Sequence, residues 1–356
     1  MARAGIDILV FVEDPGAANY VAPLIPWLHR AGCAVAVIAV AAGAEQLARL
    51  GIAFECIDER TEAATLLTQL APRIVLVGTS ENPNTLGLKL VAAARRLNIL
   101  SVGVVDGPAN TEYRFRGCGD APLAFAPDWI LVPDNHTRAA YVTLGRPPGQ
   151  VLAVGHPHYD YVHEQALRLA AVDRQITRKK LLPAAGKRFV TTFVAEISGG
   201  LNPEQYHYSD DYTLKGRGGS VRRTDIVLEE FLDAVKDLAP RPYIVLRLHP
   251  RNTPDEFSAY EHEIDLVSSA GLADELLHAS DLVVGMTSHM MLEAAILGRP
   301  TLAILPRAIE KKWLFTIAVG LTPCVTDRMA LRTMLAGLCA SGCRVAAPGK
   351  ADEVFV

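Results

Sequence analysis

Short apolar runs alternate with amphipathic stretches along the whole chain. In the first half, Ile6–Val12, Ala34–Val40, Ala53–Ile57, Ile74–Val77, Ser101–Val105, Trp129–Val132 and Val151–Val154 have the length and composition of buried strands. Between them, Ala17–Ala31, Ala44–Leu50, Ala63–Leu70, Thr85–Leu97 and His136–Leu144 predict helices, the first shortened or kinked by Pro23 and Pro26. Tyr161–Lys180 is a charged helical stretch, and Leu181-Leu182-Pro183-Ala184-Ala185-Gly186 marks a boundary. The pattern then restarts. Phe189–Ala195, Tyr243–Leu248 and a short Ile264–Val267 predict strands, while Ile226–Leu238, Leu272–Ala279 and Met329–Leu338 predict helices. Such alternation predicts an α/β protein of two Rossmann-like, doubly wound domains facing a cleft. The expected division is a first domain at 1–163, a linker at 164–186, a second domain at 187–335 and a tail at 336–356.

The most informative stretch is Asp281–Ile304, DLVVGMTSHMMLEAAILGRPTLAI. Leu282-Val283-Val284 ends at Gly285, Met286-Thr287-Ser288-His289 turns, Met290–Leu297 reads as a helix, and Gly298 with Pro300 closes it before the strand Thr301–Leu305. In such a βαβ unit the turn lies at the carboxyl edge of the sheet, where open α/β folds bind ligands. N–H groups at a helix start hold phosphate. Glu293, a turn further on, can accept from ribose hydroxyls. This is the logic of a nucleotide-sugar site.

Composition narrows the partners. The chain has 356 residues, enough for two domains, and a net charge of −4, which argues against a general nucleic-acid binder. No apolar run reaches membrane-spanning length, and the N-terminus enters a strand without a signal-peptide pattern, so the expected location is cytoplasmic. Peripheral attachment to the inner membrane and self-association stay open. Cys33, Cys56, Cys118, Cys324, Cys339 and Cys343 are scattered without a CxxC pair and read as buried thiols.

Other strand ends carry candidate chemistry. Arg247-Leu248-His249-Pro250-Arg251 follows an apolar strand, so Arg247, His249 and Arg251 can meet a phosphate, and His249 can donate to it. Asp106-Gly107 follows another strand, and Asp106 is the candidate general base, with Glu13 of Glu13-Asp14-Pro15-Gly16 the alternative. The latter segment does not match GxGxxG. Gly155-His156-Pro157-His158-Tyr159-Asp160 reads as a hinge-edge loop; no third metal ligand accompanies its two histidines, and no metal or cofactor is expected. Glu196–Thr224 reads as a long loop at a strand end. In it Ser198-Gly199-Gly200 can wrap phosphate oxygens. Tyr206, Tyr208 and Tyr212 offer flat faces, and Lys215, Arg217, Arg222 and Arg223 offer charge. The expected role is an acceptor site or lid.

These residues resemble the nucleotide-sugar glycosyltransferases of GT-B fold, and more broadly the superfamily that includes UDP-N-acetylglucosamine 2-epimerases. Asp281–Pro300 resembles the donor-site signature of that superfamily, and Gly155–Asp160 its Gly-x-Pro-x-x-Asp segment. A narrower likeness links His249-Pro250 and Thr287-Ser288 to bacterial sialyltransferases, polysialyltransferases and glycerophosphate-polymer enzymes. The acidic-acidic-Gly motif of the sialyltransferases is matched only in part, because Val105 stands before Asp106-Gly107. Thr111–Arg116 is loosely similar to the acidic, Arg-rich epimerase segment, but Pro-Glu-Glu-x-Asn-Arg is missing. The resemblance implies a UDP- or CMP-linked donor sugar and a glycan or lipid-linked acceptor. It implies that His249, Thr287, Ser288 and His289 hold the donor phosphate, Glu293 the ribose, and Asp106 the acceptor proton. The expected activity is metal-independent sugar transfer in surface-polysaccharide or glycoconjugate synthesis. The rivals are a 2-epimerase, a sugar-nucleotide hydrolase and a nucleotide-sugar sensor without activity.

Overall fold

The computed structural model describes residues 5–341, apart from 59, 270 and 272. The chain divides into two compact units, with the division between Asp160 and Tyr161. The first contains β1 (Ile8–Val12), β2 (Val35–Ala39), β3 (Glu55–Cys56), β4 (Ile74–Gly78), β5 (Leu100–Val104), β6 (Trp129–Val132) and β7 (Val151–Ala153). They form a parallel sheet in the order β3-β2-β1-β4-β5-β6-β7. The second contains β8 (Val190–Val194), β9 (Tyr243–Arg247), β10 (Leu266–Ser268), β11 (Leu282–Gly285), β12 (Thr301–Ile304) and β13 (Cys324–Val325). Its parallel order is β10-β9-β8-β11-β12-β13. Each sheet is wound outward in both directions from its first strand. The winding therefore reverses between β1 and β4, and between β8 and β11, and ligands of such sheets bind beyond the strand ends at that reversal.

Burial explains the strands. Every residue of β1, β8, β9, β11 and β12 is buried, which is what a central strand covered on both faces requires. Of the two threonines inside β8, Thr192 shares a 2.7 Å hydrogen bond with Ser280, while the buried Thr191 hydroxyl has no partner. Helices start where side chains cap them: Thr85 accepts the Gly87 N–H, Asp134 that of Thr137, and Ser288 that of Met290.

Four sequence expectations change. The expected Ala17–Ala31 helix is two, Pro15–Val21 and Leu24–Arg30; Pro23 falls between them and Pro26 in the first turn of the second, where its missing N–H costs little. The expected linker at 164–186 lies within the second unit, in the helices Pro157–Ala170 and Arg174–Leu181, as the charged helical reading has it, and the turn after them. Arg174 and Arg178 reach Asp281 at 2.6 and 2.8 Å, and Asp281 also accepts the Val190 N–H at 2.7 Å, so the second helix is pinned to the start of β8 and β11. The expected long loop 196–224 is folded. It contains a short helix (Pro203–Tyr206) and a bridge between His207 and Arg222, and it buries Tyr206 and Tyr212. The last helix runs Arg328–Ser341, across the expected boundary at 335. Leu272 and the tail from 342, with Cys343, lie outside the described residues. Among those described, no helix is long and apolar enough to cross a membrane.

One buried group at the amino edge of the second sheet ties stability to pH. His278, on the helix Ala273–Ala279, is 8% exposed, and its Nε2 has no hydrogen-bond partner. Burial first, then the nearby Arg299 and Arg174, push its pKa down from 6.5 to about 4. Its folded-state pKa lies below the unfolded value, so the unfolded chain takes the proton first as pH falls. Stability is expected to be complete above 6.5 and to decline between 6.5 and about 4. His278→Gln should remove that part of the slope in urea unfolding followed across this range; an unchanged slope contradicts the assignment.

Candidate functional site

In the second unit three neighbouring strands, β9, β8 and β11, end on one edge. From β11 the chain passes through Thr287 into a helix, His289–Ile296, capped by Ser288, whose Oγ accepts the Met290 N–H at 3.2 Å. Glycine closes the strand against the helix: a Cβ on Gly285 would stand 2.9 Å from the Met291 sulfur, so the methionine side chain would have to shift. Glu293 lies in this helix, 9% exposed, near Tyr161, whose hydroxyl pKa is raised by burial, then by Asp274 and Glu293.

From β9 comes His249. Its N–H donates to Asn252 Oδ1, and its Nδ1 accepts the Arg251 N–H, both at 3.1 Å. With Nδ1 accepting, Nε2 is the nitrogen left to carry the ring proton and to donate to a phosphate oxygen. Arg251 contributes its backbone to this turn. Arg247 is turned aside: its guanidinium donates to Ser268 Oγ at 2.9 Å and to the Gly271 carbonyl at 3.1 Å, bracing β9 against the β10 edge. From β8 comes the turn Ser198-Gly199-Gly200. Ser198 donates to Glu256 at 3.3 Å and accepts from Arg222 at 3.4 Å.

Thr287 has a partner that sequence reasoning missed. Glu196, directly after β8, accepts the Thr287 N–H at 2.5 Å and its hydroxyl at 3.2 Å. Behind it, Arg223 donates to Glu196 at 2.6 Å and, through Nε, to Glu310 at 3.0 Å. Thr287 is thus held from within the fold, and the open part of the turn begins at Ser288 and His289.

The residues expected on the acceptor side are placed differently from one another. Tyr206 and Tyr212 are buried and Tyr208 is exposed, 5.4 Å from the Tyr212 ring. Burial, the largest influence, pushes the Tyr212 hydroxyl up to about 12. Arg217 lies between Asp233 and Glu263, at 2.7 Å from each, and fastens its segment to the neighbouring helix.

In the first unit, Glu13, Asp14 and Asp106 stand at the ends of β1 and β5, with Glu81 after β4 between them. Glu13 is buried, accepting from Asn82 Nδ2 at 2.7 Å and from the Thr85 hydroxyl, so it braces the turn into the helix Leu86–Leu97. Asp106 meets Arg114 at 3.3 Å, and the other end of that guanidinium meets Glu81 at 3.5 Å. Thr111–Arg116 thereby supplies a cation to the site. Asp106 also packs on Gly16, where a Cβ would stand 2.1 Å from Oδ2, so residue 16 can carry no side chain without displacing the carboxylate. Tyr20 donates to the Gly155 carbonyl at 3.2 Å and packs on His156, which stacks on Tyr159. The expected loop at 155–160 is therefore short, because Pro157 already starts a helix.

Solved structures with this architecture cover nearly the whole chain. A UDP-GlcNAc 2-epimerase from Neisseria meningitidis, solved with UDP-GlcNAc bound, superposes with a TM-score of 0.68 at 15% identity over 98% of each chain. The UDP-GlcNAc 2-epimerase of Methanocaldococcus jannaschii, in complex with UDP-GlcNAc and UDP, gives 0.65 at 13% identity, again over 98% of each. The wall teichoic acid polymerase TagF gives 0.53 at 14% identity over 98% of this chain and 83% of its own. The likeness is one of fold: two Rossmann-like units of GT-B type. No protein-family model matches the sequence, and no curated protein does.

The sequence pointed to strand ends of both sheets but not to all the residues that stand there. Glu196 follows a strand directly, as Asp106 does, and the same rule applied to β8 would have found it. Glu310 and Arg307 follow β12 and carried no such signal, because their partners come from distant parts of the chain.

Proposed function

We propose that this protein is an enzyme that transfers a sugar from a UDP- or CMP-linked donor to a hydroxyl of a glycan or lipid-linked acceptor. The observation that supports it best is the edge of the second sheet. Three adjacent strand ends bring His249 with its proton on Nε2, the Ser198–Gly200 turn and the Ser288-capped helix start together, with Glu293 one turn further in. N–H groups at Ser288 and His289 and the His249 Nε2–H stabilise the departing nucleotide phosphate. Glu293 accepts from the ribose hydroxyls. The acceptor oxygen bonds to the anomeric carbon as the bond from that carbon to the phosphate oxygen breaks, and a carboxylate takes the acceptor proton, Asp106 of the first unit being the candidate.

A second reading is 2-epimerisation of the nucleotide sugar. It is favoured by Glu81 and Asp106 on either side of Arg114, two carboxylates able to remove and return a proton, and by neighbours in fold that are UDP-GlcNAc 2-epimerases. Incubation with UDP- and CMP-sugars separates the two. Nucleotide released only with an acceptor supports transfer. Nucleotide released without one, or an isomerised donor, supports hydrolysis or epimerisation. Binding without turnover sinks every enzymatic reading. Glu293→Ala is expected to weaken nucleotide binding about 10- to 100-fold in calorimetry, the scale of hydrogen bonds to a charged group, with melting unchanged. Equal affinity refutes its ribose role.

A further inference from the structure

The second unit contains a row of alternating charges that the proposed chemistry does not use. Glu196 reaches Arg223, Arg223 reaches Glu310, and Glu310 reaches Arg307, whose Nε donates to it at 3.0 Å. None of the four side chains is more than 10% exposed, and that of Glu310 is not exposed at all. The row has two distinct ends. At one, Glu196 holds the N–H and hydroxyl of Thr287, immediately before the capped helix start. At the other, Arg307 holds the 203–212 segment: it donates to the Glu204 carbonyl at 2.6 Å and to Ser209 Oγ at 3.2 Å, and lies 5.2 Å from the Tyr212 ring centre. That segment carries Tyr208, the exposed tyrosine.

We propose that Glu196, Arg223, Glu310 and Arg307 form a positioning relay that sets the nucleotide-binding turn and the Tyr208 segment as one body, so that a change at Arg307 is felt as a change in nucleotide affinity at Ser288. Thr287 and the four charged residues are positioning residues; none of them is assigned a contact with the reacting atoms. Two features distinguish a relay from a set of tethers. Each interior carboxylate is shared: Glu310 accepts from both arginines, and Glu196 accepts from Arg223 and Thr287. Moving one member therefore leaves the next buried charge without its counter-ion, and the structure must shift along the row to restore it. The chain just beyond that segment has an anchor that is not part of the row. Arg328 donates to the Gly216 carbonyl at 2.9 Å and to Glu230 at 2.7 Å.

This inference rests on the nucleotide-sugar reading, and the test separates the two. Binding of UDP and of CMP to the full chain is measured by calorimetry for the wild type, Arg307→Met and Arg328→Met, with melting temperatures recorded alongside. Arg307→Met is expected to weaken binding about tenfold, the scale of coupling through a packed network, and Arg328→Met less than twofold. Ser209→Ala removes one acceptor of Arg307 at the outer end and should give a smaller loss, about threefold, even if Arg307→Met fails to fold. Wild-type binding with equal affinity in Arg307→Met and Ser209→Ala overturns the relay alone. Equal losses in the Arg307 and Arg328 variants reduce it to tethering and overturn it too. A wild type that binds neither nucleotide overturns the nucleotide-sugar reading and the relay with it.

Discussion

Arg223→Met is expected to destabilise the second unit by about 3–5 kcal/mol, the scale for breaking a buried ion pair from one side. The side chain of Arg223 is 2% exposed and stands between Glu196 and Glu310. Burial works against its charge, but Glu310 and Glu196 outweigh burial and hold its pKa above the ordinary value. Methionine fills much of the space and supplies no charge, so Glu196 loses its counter-ion and keeps only the Thr287 N–H and hydroxyl, while Glu310 keeps Arg307 alone. Urea unfolding of the full chain should show a lowered midpoint with an unchanged slope. Adding Glu196→Gln removes the carboxylate left without a counter-ion and should recover part of the loss. A change below about 1 kcal/mol, typical of exposed pairs, would show that water reaches the row.

Asp106→Asn is expected to lower turnover by about 10²- to 10⁴-fold, the usual contribution of a general base. Asparagine keeps the shape that fits against Gly16 and can still meet Arg114 through its carbonyl, so folding should be preserved. The loss should fall on kcat with donor binding unchanged, the signature of an interaction made in the transition state. Glu13→Gln is the comparison. Glu13 accepts from Asn82 and Thr85 inside a turn, so its replacement should act mainly on stability. Activity above half of wild type in Asp106→Asn removes Asp106 as the base; a kcat loss confined to Glu13→Gln exchanges the two assignments.

Much of this arrangement was legible in the sequence because a parallel sheet advertises itself. Strands such as β1 and β8 are buried along their whole length, so they read as unbroken apolar runs, and a run that ends marks a carboxyl edge. That rule led to Asp106, His249 and Thr287. Contacts made far along the chain carry no such mark. Glu196 meets Arg223 and Thr287 27 and 91 residues away, and Arg223 meets Glu310 at a separation of 87. No local pattern distinguishes these charges from solvated ones. Arg178 illustrates the cost: it stands in a charged helical stretch, yet it is buried against Asp281. β13 has only two residues and so shows no period, and the tyrosines of the 203–212 segment looked like surface platforms where two of three are interior.

The order of strands also constrains how the chain acquires its structure during synthesis. In each sheet the earliest strand to emerge lies in the interior, and later strands are added on either side. β1 gains its first neighbour with β2 but its second only with β4, which ends at Gly78, so no shorter nascent fragment can cover both edges of β1. β8 waits longer still, until β11 at Leu282–Gly285. Pairings of such long range close slowly and leave an unpaired edge exposed meanwhile. The second unit therefore has the longer vulnerable interval on the ribosome, and its folding yield in the cell is expected to depend more heavily on chaperones than that of the first.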